Sequence, residues 1–318
     1  MLLTFILLIA GFIALILGAN WLVDGATSVG IRAKLSPLII GLTVVAFGTS
    51  LPELIINVFS CAKGSSGLAI GNIIGSNTMN ILLILGVTTL IHPIDVNLIS
   101  IKRDIPVGFF ATLLLMGLAN EHILNTMNSI DWQEGIILLC CTAIYLWLTM
   151  KKSPSQTEGV EVEQIPLPWF KTLLLLAFGI LGLYAGGELV SQNAQKIALS
   201  LGMSENLVGL TIVATATSLP ELITSIVAAT KKNSDIAIGN VLGSNILNIT
   251  TVLGISALIT PLNFEGSTNS QMFILIGANL LMLAFILTGR GKHKISRVEG
   301  AFMLLGYFAF LAYSVTYA

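Results

Sequence analysis

Two glutamates stand at the end of long apolar stretches in this sequence, in nearly identical surroundings. Glu53 ends the stretch 41–53, which reads GLTVVAFGTSLPE, and Glu221 ends the stretch 209–221, which reads GLTIVATATSLPE. Ten of the thirteen positions are identical, at a constant spacing of 168 residues. A carboxylate in an apolar helix costs about 2.5 to 3.5 kcal/mol to insert into a bilayer, so its recurrence indicates a functional site.

Other oxygen-bearing groups surround each glutamate. The hydroxyls nearest the two prolines belong to Thr49, Ser50, Thr217 and Ser218. The proline directly before each glutamate has no main-chain N–H, so carbonyls of the preceding turn, near Gly48 and Ala216, lose a helical partner. We therefore predict a helix broken at each proline, with carbonyl and hydroxyl oxygens that can point at a positive charge beside the carboxylates.

A second repeated block follows each glutamate. Residues 69–81 read AIGNIIGSNTMNI, and residues 237–249 repeat nine of these thirteen positions. On a helix, side chains four residues apart share one face. The polar stripes predicted in this way are Asn72, Ser76 and Asn80 in the first block and Asn240, Ser244 and Asn248 in the second. Small residues at 71, 75, 239 and 243 favour close helix packing beside these stripes.

These groups favour a hard cation. Two carboxylates about 6 Å apart repel by about 3 kcal/mol at an effective dielectric constant near 20, so a positive charge is expected between them. Six to eight flexible oxygen ligands suit Ca²⁺, whereas zinc and copper prefer His or Cys and Mg²⁺ resists dehydration. Na⁺ is close to Ca²⁺ in size and also takes oxygen ligands. The same groups could therefore bind either ion in turn.

The composition is that of a polytopic membrane protein. Of 318 residues, 55% are hydrophobic and 10% are charged, and the mean hydropathy is +0.92. The formal net charge of −1 gives no sign of a nucleic-acid partner, and no obligate protein partner is indicated. The expected partners are the lipid bilayer and the transported ions, and no cofactor is expected.

A window of about 20 residues gives ten apolar segments that we take as membrane spans. They lie near 2–19, 36–62, 67–90, 104–119, 133–150, 168–190, 204–230, 234–259, 271–289 and 297–316. We predict an all-α integral membrane protein with a five-helix repeat over 1–150, a cytoplasmic linker over 151–167 and a second repeat over 168–318. An odd number of spans inverts the second repeat, and inverted repeats with broken helices at the midplane are typical of secondary transporters.

The basic residues predict the orientation. If both termini are outside, thirteen of the fifteen Lys and Arg residues fall in cytoplasmic loops, as the positive-inside rule requires. The short loops favour a prokaryotic inner membrane, with both termini on the periplasmic side.

The paired G-T-S-L-P-E and G-N-x-x-G-S-N-x-x-N motifs resemble the repeats of the cation/calcium exchanger superfamily, in particular its prokaryotic sodium/calcium exchanger-like members. The resemblance covers the whole chain in helix number and inversion. It implies that helices two, three, seven and eight surround the ions, while helices one and six slide across this core. Two departures stand out: Ala216 takes the place of the usual glycine, and Asn248 takes the place of an aspartate found in potassium-dependent relatives.

The resemblance also implies a ligand set. Glu53 and Glu221 would be shared by Ca²⁺ and Na⁺, and Ala46 and Ala214 would supply main-chain carbonyls. The remaining ligands would be Thr49, Thr217, Ser50, Ser218, Ser76, Ser244, Asn80 and Asn248. With asparagine at 248, the site has two carboxylates rather than three, which predicts potassium-independent exchange.

Other functions remain open at this point. A proton/calcium antiporter of the same fold would also use two membrane carboxylates, although the glycine-asparagine-alanine-alanine-glutamate block of such proteins is absent. An intramembrane hydrolase is disfavoured because no paired aspartates, His-Glu-x-x-His or Ser-Lys dyad is present. A cation channel is disfavoured because broken helices in an inverted repeat favour alternating access over an open pore.

Overall fold

The chain is helical along most of its length. The computed structural model describes residues 2–64, 66–120, 129–151, 166–201, 214–264, 266–289 and 293–317. Its helices are α1 (Leu2–Ala33), α2 (Pro37–Thr49), α3 (Leu51–Ala62), α4 (Ser66–Ile91), α5 (Ile105–Ala119), α6 (Trp132–Lys151), α7 (Trp169–Ser200), α8 (Ala214–Ala216), α9 (Leu219–Thr230), α10 (Ser234–Ile259), α11 (Gly266–Thr288) and α12 (Arg297–Tyr317). The start of the second motif, at 209–213, and most of the predicted linker lie outside the described residues.

The helices are long and apolar enough for a multi-pass membrane protein. Among the described residues, six helices pass this test, and the pair α2 and α3, bent by 43°, makes a seventh if it is counted as one span. Large apolar side chains such as Phe5, Phe170 and Phe308 are exposed on the outer helices. Such side chains are stable in contact with lipid tails, so the apolar exterior fits a bilayer.

Helix α1 is longer than its apolar stretch predicts. The prediction covered 2–19, but the helix continues to Ala33 through several polar residues. Two of these have partners near the start of α7: the Ser28 hydroxyl lies 2.9 Å from that of Thr172, and Arg32 Nη2 donates to the Leu167 carbonyl at 2.7 Å. The contacts with α7 therefore stabilise a helical end that hydropathy alone does not predict.

Helices α1 and α7 are in main-chain contact along their length. A Cβ placed on Gly18 would lie 2.7 Å from Leu183 N, and one placed on Gly179 would lie 2.7 Å from Leu22 N. Distances below 3.0 Å leave no space for a side chain, so glycine is required on both helices. The two long helices thus pack as a pair at one side of the protein.

Small residues also bring α2 against α10. A Cβ on Gly243 would lie 2.6 Å from the Leu42 carbonyl oxygen, and one on Gly239 would lie 2.8 Å from that of Leu38. This contact confirms the close packing predicted beside the second polar stripe. At Gly71 and Gly75, on α4, no described atom lies within 4 Å of such a Cβ. The residues of the second motif that would correspond to α2 here fall largely within 202–213, outside the described residues.

Two short antiparallel ribbons, which the sequence analysis did not predict, join distant parts of the chain. They pair β1 (Ile94–Asp95) with β4 (Lys294–Ile295) and β2 (Ser129–Ile130) with β3 (Leu262–Asn263). In the same way α6 packs against the end of α10, and α12 against the end of α4. Residues from before and after the linker therefore share one interlocked core.

Candidate ion-binding site

Both glutamates lie where a broken helix begins again. The break between α2 and α3 is at Ser50 (φ −84°, ψ 4°), and the break between α8 and α9 is at Ser218 (φ −91°, ψ 6°). Glu53 and Glu221 occupy the first turns of α3 and α9 and have no exposed surface. The first turn of a helix has main-chain N–H groups without helical partners, which stabilises negative charge there.

Each serine at a break contacts the carboxylate of the other broken helix. The Ser50 hydroxyl lies 3.0 Å from Glu221 Oε1 and 3.0 Å from Ser244 Oγ. In the equivalent arrangement, the Ser218 hydroxyl lies 3.3 Å from Glu53 Oε1 and 2.9 Å from the Oγ atom of residue 76. The two motifs therefore form one site rather than two, because each carboxylate depends on a hydroxyl from the other motif.

The threonines before the breaks donate hydrogen bonds to asparagines of the polar stripes. Thr49 Oγ1 donates to Asn240 Oδ1 at 3.1 Å, and Thr217 Oγ1 donates to Asn72 Oδ1 at 3.2 Å. Each threonine hydroxyl has a single hydrogen. When that hydrogen is donated to asparagine, the lone pairs of the threonine oxygen stay available as acceptors. The Ala46 carbonyl accepts from Ser50 N at 3.0 Å and also lies 3.2 Å from Thr49 Oγ1.

Within the part of the chain that the structure describes, four buried oxygens of the site accept no hydrogen bond. They are Glu53 Oε2, Glu221 Oε2, Asn80 Oδ1 and Asn248 Oδ1. A buried acceptor without a donor costs about 1 to 3 kcal/mol, and more when it is charged. A cation coordinated by these oxygens would remove that cost, and all four are the hard ligands that Ca²⁺ and Na⁺ take. The geometry can therefore bind a hard cation between α3, α4, α9 and α10.

Comparison with known proteins agrees with this chemistry. The family described as sodium/calcium exchanger protein matches residues 3–151 and 171–316. The chain belongs to this family. The family is one of cation exchangers, which are transporters.

Solved and curated relatives match almost the full chain. The structure of the sodium-calcium exchanger NCX_Mj, soaked with 2.5 mM Na⁺ and 0.1 mM Ca²⁺, is 33% identical, with a TM-score of 0.82 and 98% of each chain covered. Sodium/calcium exchanger MaX1 of Methanosarcina acetivorans is 29% identical over 96% of this chain and 97% of its own. Inner membrane protein YrbG of Escherichia coli is 33% identical over 98% of this chain and 97% of its own.

The fold brings most of the predicted site residues into one network. Ten predicted residues take part through hydrogen bonds or unpaired oxygens: Glu53, Glu221, Thr49, Thr217, Ser50, Ser218, Ser76, Ser244, Asn80 and Asn248. Ala46 lies one turn before the first break, and Ala214 is the first residue of α8. Asn72 and Asn240, predicted as members of the stripes, bind the threonines.

Asn77 and Asn245 lie outside the predicted polar stripes, although both contact the site. Asn80 Nδ2 donates to Asn245 Oδ1 at 2.9 Å, and Asn248 Nδ2 donates to Asn77 Oδ1 at 3.1 Å. Both residues are part of the repeated Gly-Ser-Asn triplet, so their recurrence at the same spacing was the available signal. They lie one position beyond the stripe on the helix, which is why a single-face pattern omits them.

Proposed function

We propose that this protein is a secondary active antiporter that exchanges Ca²⁺ for Na⁺ by alternating access, without potassium. The observation that carries the proposal is the set of four buried oxygens, two from carboxylates, that have no hydrogen-bond partner among the described residues of a chain in the sodium/calcium exchanger family. An ionised pair of glutamates carries a charge of about −2, which one Ca²⁺ neutralises. Exchange of that ion for two Na⁺ would be neutral, and a third Na⁺ would make each cycle carry net charge.

In this proposal the ligands are the predicted twelve residues. Glu53 and Glu221 would bind both ions, and the free oxygens of Asn80 and Asn248 would complete the centre. The hydroxyls and carbonyls would come from Thr49, Thr217, Ser50, Ser218, Ser76, Ser244, Ala46 and Ala214. Protein oxygens would replace the hydration shell of the ion, and no resident cofactor is required.

The proposal includes ten membrane spans in two inverted repeats, 1–150 and 168–318, joined by the linker 151–167. Its support is the equivalence of contacts at the constant spacing: the bond from Ser50 to Glu221 has its counterpart between Ser218 and Glu53. The ribbons follow the same symmetry. Strands β1 and β3 lie 168 residues apart, at corresponding positions of the two halves, and each pairs with a strand of the opposite half. Such pseudo-symmetry is the basis of alternating access in secondary transporters.

The closed site supports alternating access over an open pore. Glu53, Glu221, Asn80 and Asn248 have no exposed surface, so an ion bound here can leave only after a conformational change. The α1 and α7 pair lies against the first break, since a Cβ on Gly48 would contact Ile180 at 3.4 Å. Movement of this pair relative to the core is the proposed means of opening the site.

Uptake of calcium-45 into proteoliposomes tests the function. Vesicles loaded with Na⁺ should accumulate calcium when diluted into sodium-free buffer, and vesicles loaded with K⁺ should not. Uptake driven by an acid interior without sodium would instead establish the proton/calcium alternative. Uptake that continues without any counter-ion gradient would indicate a channel.

We expect both termini to face the periplasm and the linker to face the cytoplasm of the inner membrane. The reason is the cytoplasmic excess of Lys and Arg in this orientation. Single cysteines placed at residue 155 and in the loop around residue 121, in a variant without Cys61, Cys140 and Cys141, report the two sides. Labelling of residue 155 by a membrane-impermeant reagent in intact cells would contradict the inverted arrangement.

A further inference from the structure

Four asparagines form a closed arrangement where α4 meets α10. Asn77 Nδ2 donates to the main-chain carbonyl of Asn245 at 3.0 Å, and Asn245 Nδ2 donates back to the main-chain carbonyl of Asn77 at 3.4 Å. Their side-chain oxygens then accept from the next pair: Asn245 Oδ1 from Asn80 and Asn77 Oδ1 from Asn248. All four side chains are buried.

The main-chain carbonyls determine the orientation of every amide in this arrangement. A carbonyl can only accept, so Asn77 and Asn245 must present their NH₂ groups to it, which turns their oxygens toward Asn248 and Asn80. Those residues must in turn present their own NH₂ groups. If the Asn80 amide were rotated by 180°, its oxygen would face Asn245 Oδ1, and two acceptors would meet without a hydrogen.

We propose that Asn77 and Asn245 are positioning residues that keep the oxygens of Asn80 and Asn248 directed at the transported cation. The proposal rests on the proposed function. Because Oδ1 is the unpaired atom of both Asn80 and Asn248, the orientation supplies two carbonyl-type ligands and keeps their NH₂ groups away from the ion. A freely rotating amide would present a partly positive NH₂ group to the cation in part of the population.

The arrangement also crosses between the halves of the chain. Asn245, in the second half, orients Asn80 in the first, and Asn77 orients Asn248 in the reverse direction. Asn248 depends less on Asn77 than Asn80 depends on Asn245, because Asn248 Nδ2 also lies 3.3 Å from Ser76 Oγ. Substitution of Asn245 should therefore have a larger effect than substitution of Asn77.

A double-mutant cycle on calcium binding tests this role. In Asn245→Ala the main-chain carbonyl of residue 245 remains, so Asn77 keeps its anchor and only Asn80 loses its acceptor. Partners of this kind commonly change metal affinity by about 10- to 100-fold, and we expect Asn245→Ala to raise the Kd for Ca²⁺ within this range. In an Asn80→Asp background this loss of affinity should disappear or reverse, because a carboxylate presents oxygen in either rotamer and Asn245→Ala removes the acceptor that its second oxygen would face.

The crossed pair provides the matched control. Asn245→Ala combined with Asn248→Asp should give the product of the single effects within about twofold, because residue 248 contacts Ser76 and Asn77, and Asn245→Ala leaves both side chains in place. The readout is equilibrium binding of calcium-45 to purified protein in detergent, with the number of binding sites measured beside the Kd. A purely structural role would lower the number of sites equally in all backgrounds and would leave the Kd unchanged.

Each outcome decides between the claims. An unchanged Kd in Asn245→Ala, or an equal effect in the Asn80→Asp background, would overturn the positioning role. If Asn245→Ala does not yield folded protein, the cycle of Asn77→Ala with Asn248→Asp makes the same test. A wild type that binds calcium but does not exchange it for sodium in proteoliposomes would reject the proposed function and leave the cycle valid.

Discussion

Glu53→Gln and Glu221→Gln should each abolish calcium exchange while the protein still folds and inserts. Each glutamine keeps an oxygen for the serine hydroxyl but removes about half of the negative charge that faces a divalent ion. A unit charge and Ca²⁺ about 4 Å apart interact by about 8 kcal/mol at an effective dielectric constant of 20. A net loss of only about 2.8 kcal/mol would weaken binding about 100-fold, so transport should fall below detection.

The same variants should be as stable as the wild type or more stable in the absence of ions. Both carboxylates are buried, and each has an oxygen without a donor, so removal of one charge lowers the electrostatic cost of the empty site. Thermal unfolding in detergent without calcium or sodium measures this. Glu188→Gln, the same change at an exposed residue of α7, is the control and should keep transport. Exchange near the wild-type rate in either site variant would show that the site is elsewhere.

Asn248→Asp should make transport depend on pH, on potassium, or on both. Asn248 Nδ2 donates to Asn77 Oδ1 at 3.1 Å, and an ionised aspartate would place an oxygen against this acceptor. The new carboxyl must therefore bind a proton, which it can donate to Asn77, or recruit another cation near Glu53 and Glu221. The wild type has no such group, so its uptake should need no potassium and vary little between about pH 6.5 and 8.

Calcium uptake against an outward sodium gradient, with and without potassium across that pH range, measures the change. Asn120→Asp provides the control, because it makes the same substitution in an amide pair with Asn269, apart from the carboxylates. It should keep the wild-type pH profile. A wild type that is silent without potassium would contradict the assignment of a two-carboxylate site.

The repeated motifs were sufficient to predict that the two glutamates meet, together with most of the side chains around them. Glu53 and Glu221 are far apart in sequence, but identical surroundings and a constant spacing indicate equivalent positions in two halves. Hydropathy identified the helices that carry them, because a bilayer requires long apolar stretches. The break at Ser50 was also predictable from the proline that follows, since proline removes a helical hydrogen bond.

Features that depend on contacts between distant segments were not predictable in this way. Asn80 and Asn248 each begin a π-helical turn, at Asn80–Ile84 and Asn248–Val252, where the sequence analysis expected regular helix. The ribbons and the extension of α1 likewise depend on partners from the other half of the chain. Amide orientation is set by the main-chain carbonyls of Asn77 and Asn245, and a pattern of residue types along one helix contains no information about it.

The most direct test of the central claim is competition between sodium and calcium for the purified protein. Calcium-45 bound at equilibrium in detergent is measured as NaCl replaces choline chloride at constant ionic strength. If Glu53, Glu221, Asn80 and Asn248 form one site shared by both ions, sodium should displace all bound calcium. The displacement should be a sigmoidal function of sodium concentration, because more than one Na⁺ replaces each Ca²⁺. Glu53→Gln and Glu221→Gln should bind little calcium at any sodium concentration. Calcium that stays bound at saturating sodium, or full binding in both variants, would contradict the shared two-carboxylate site.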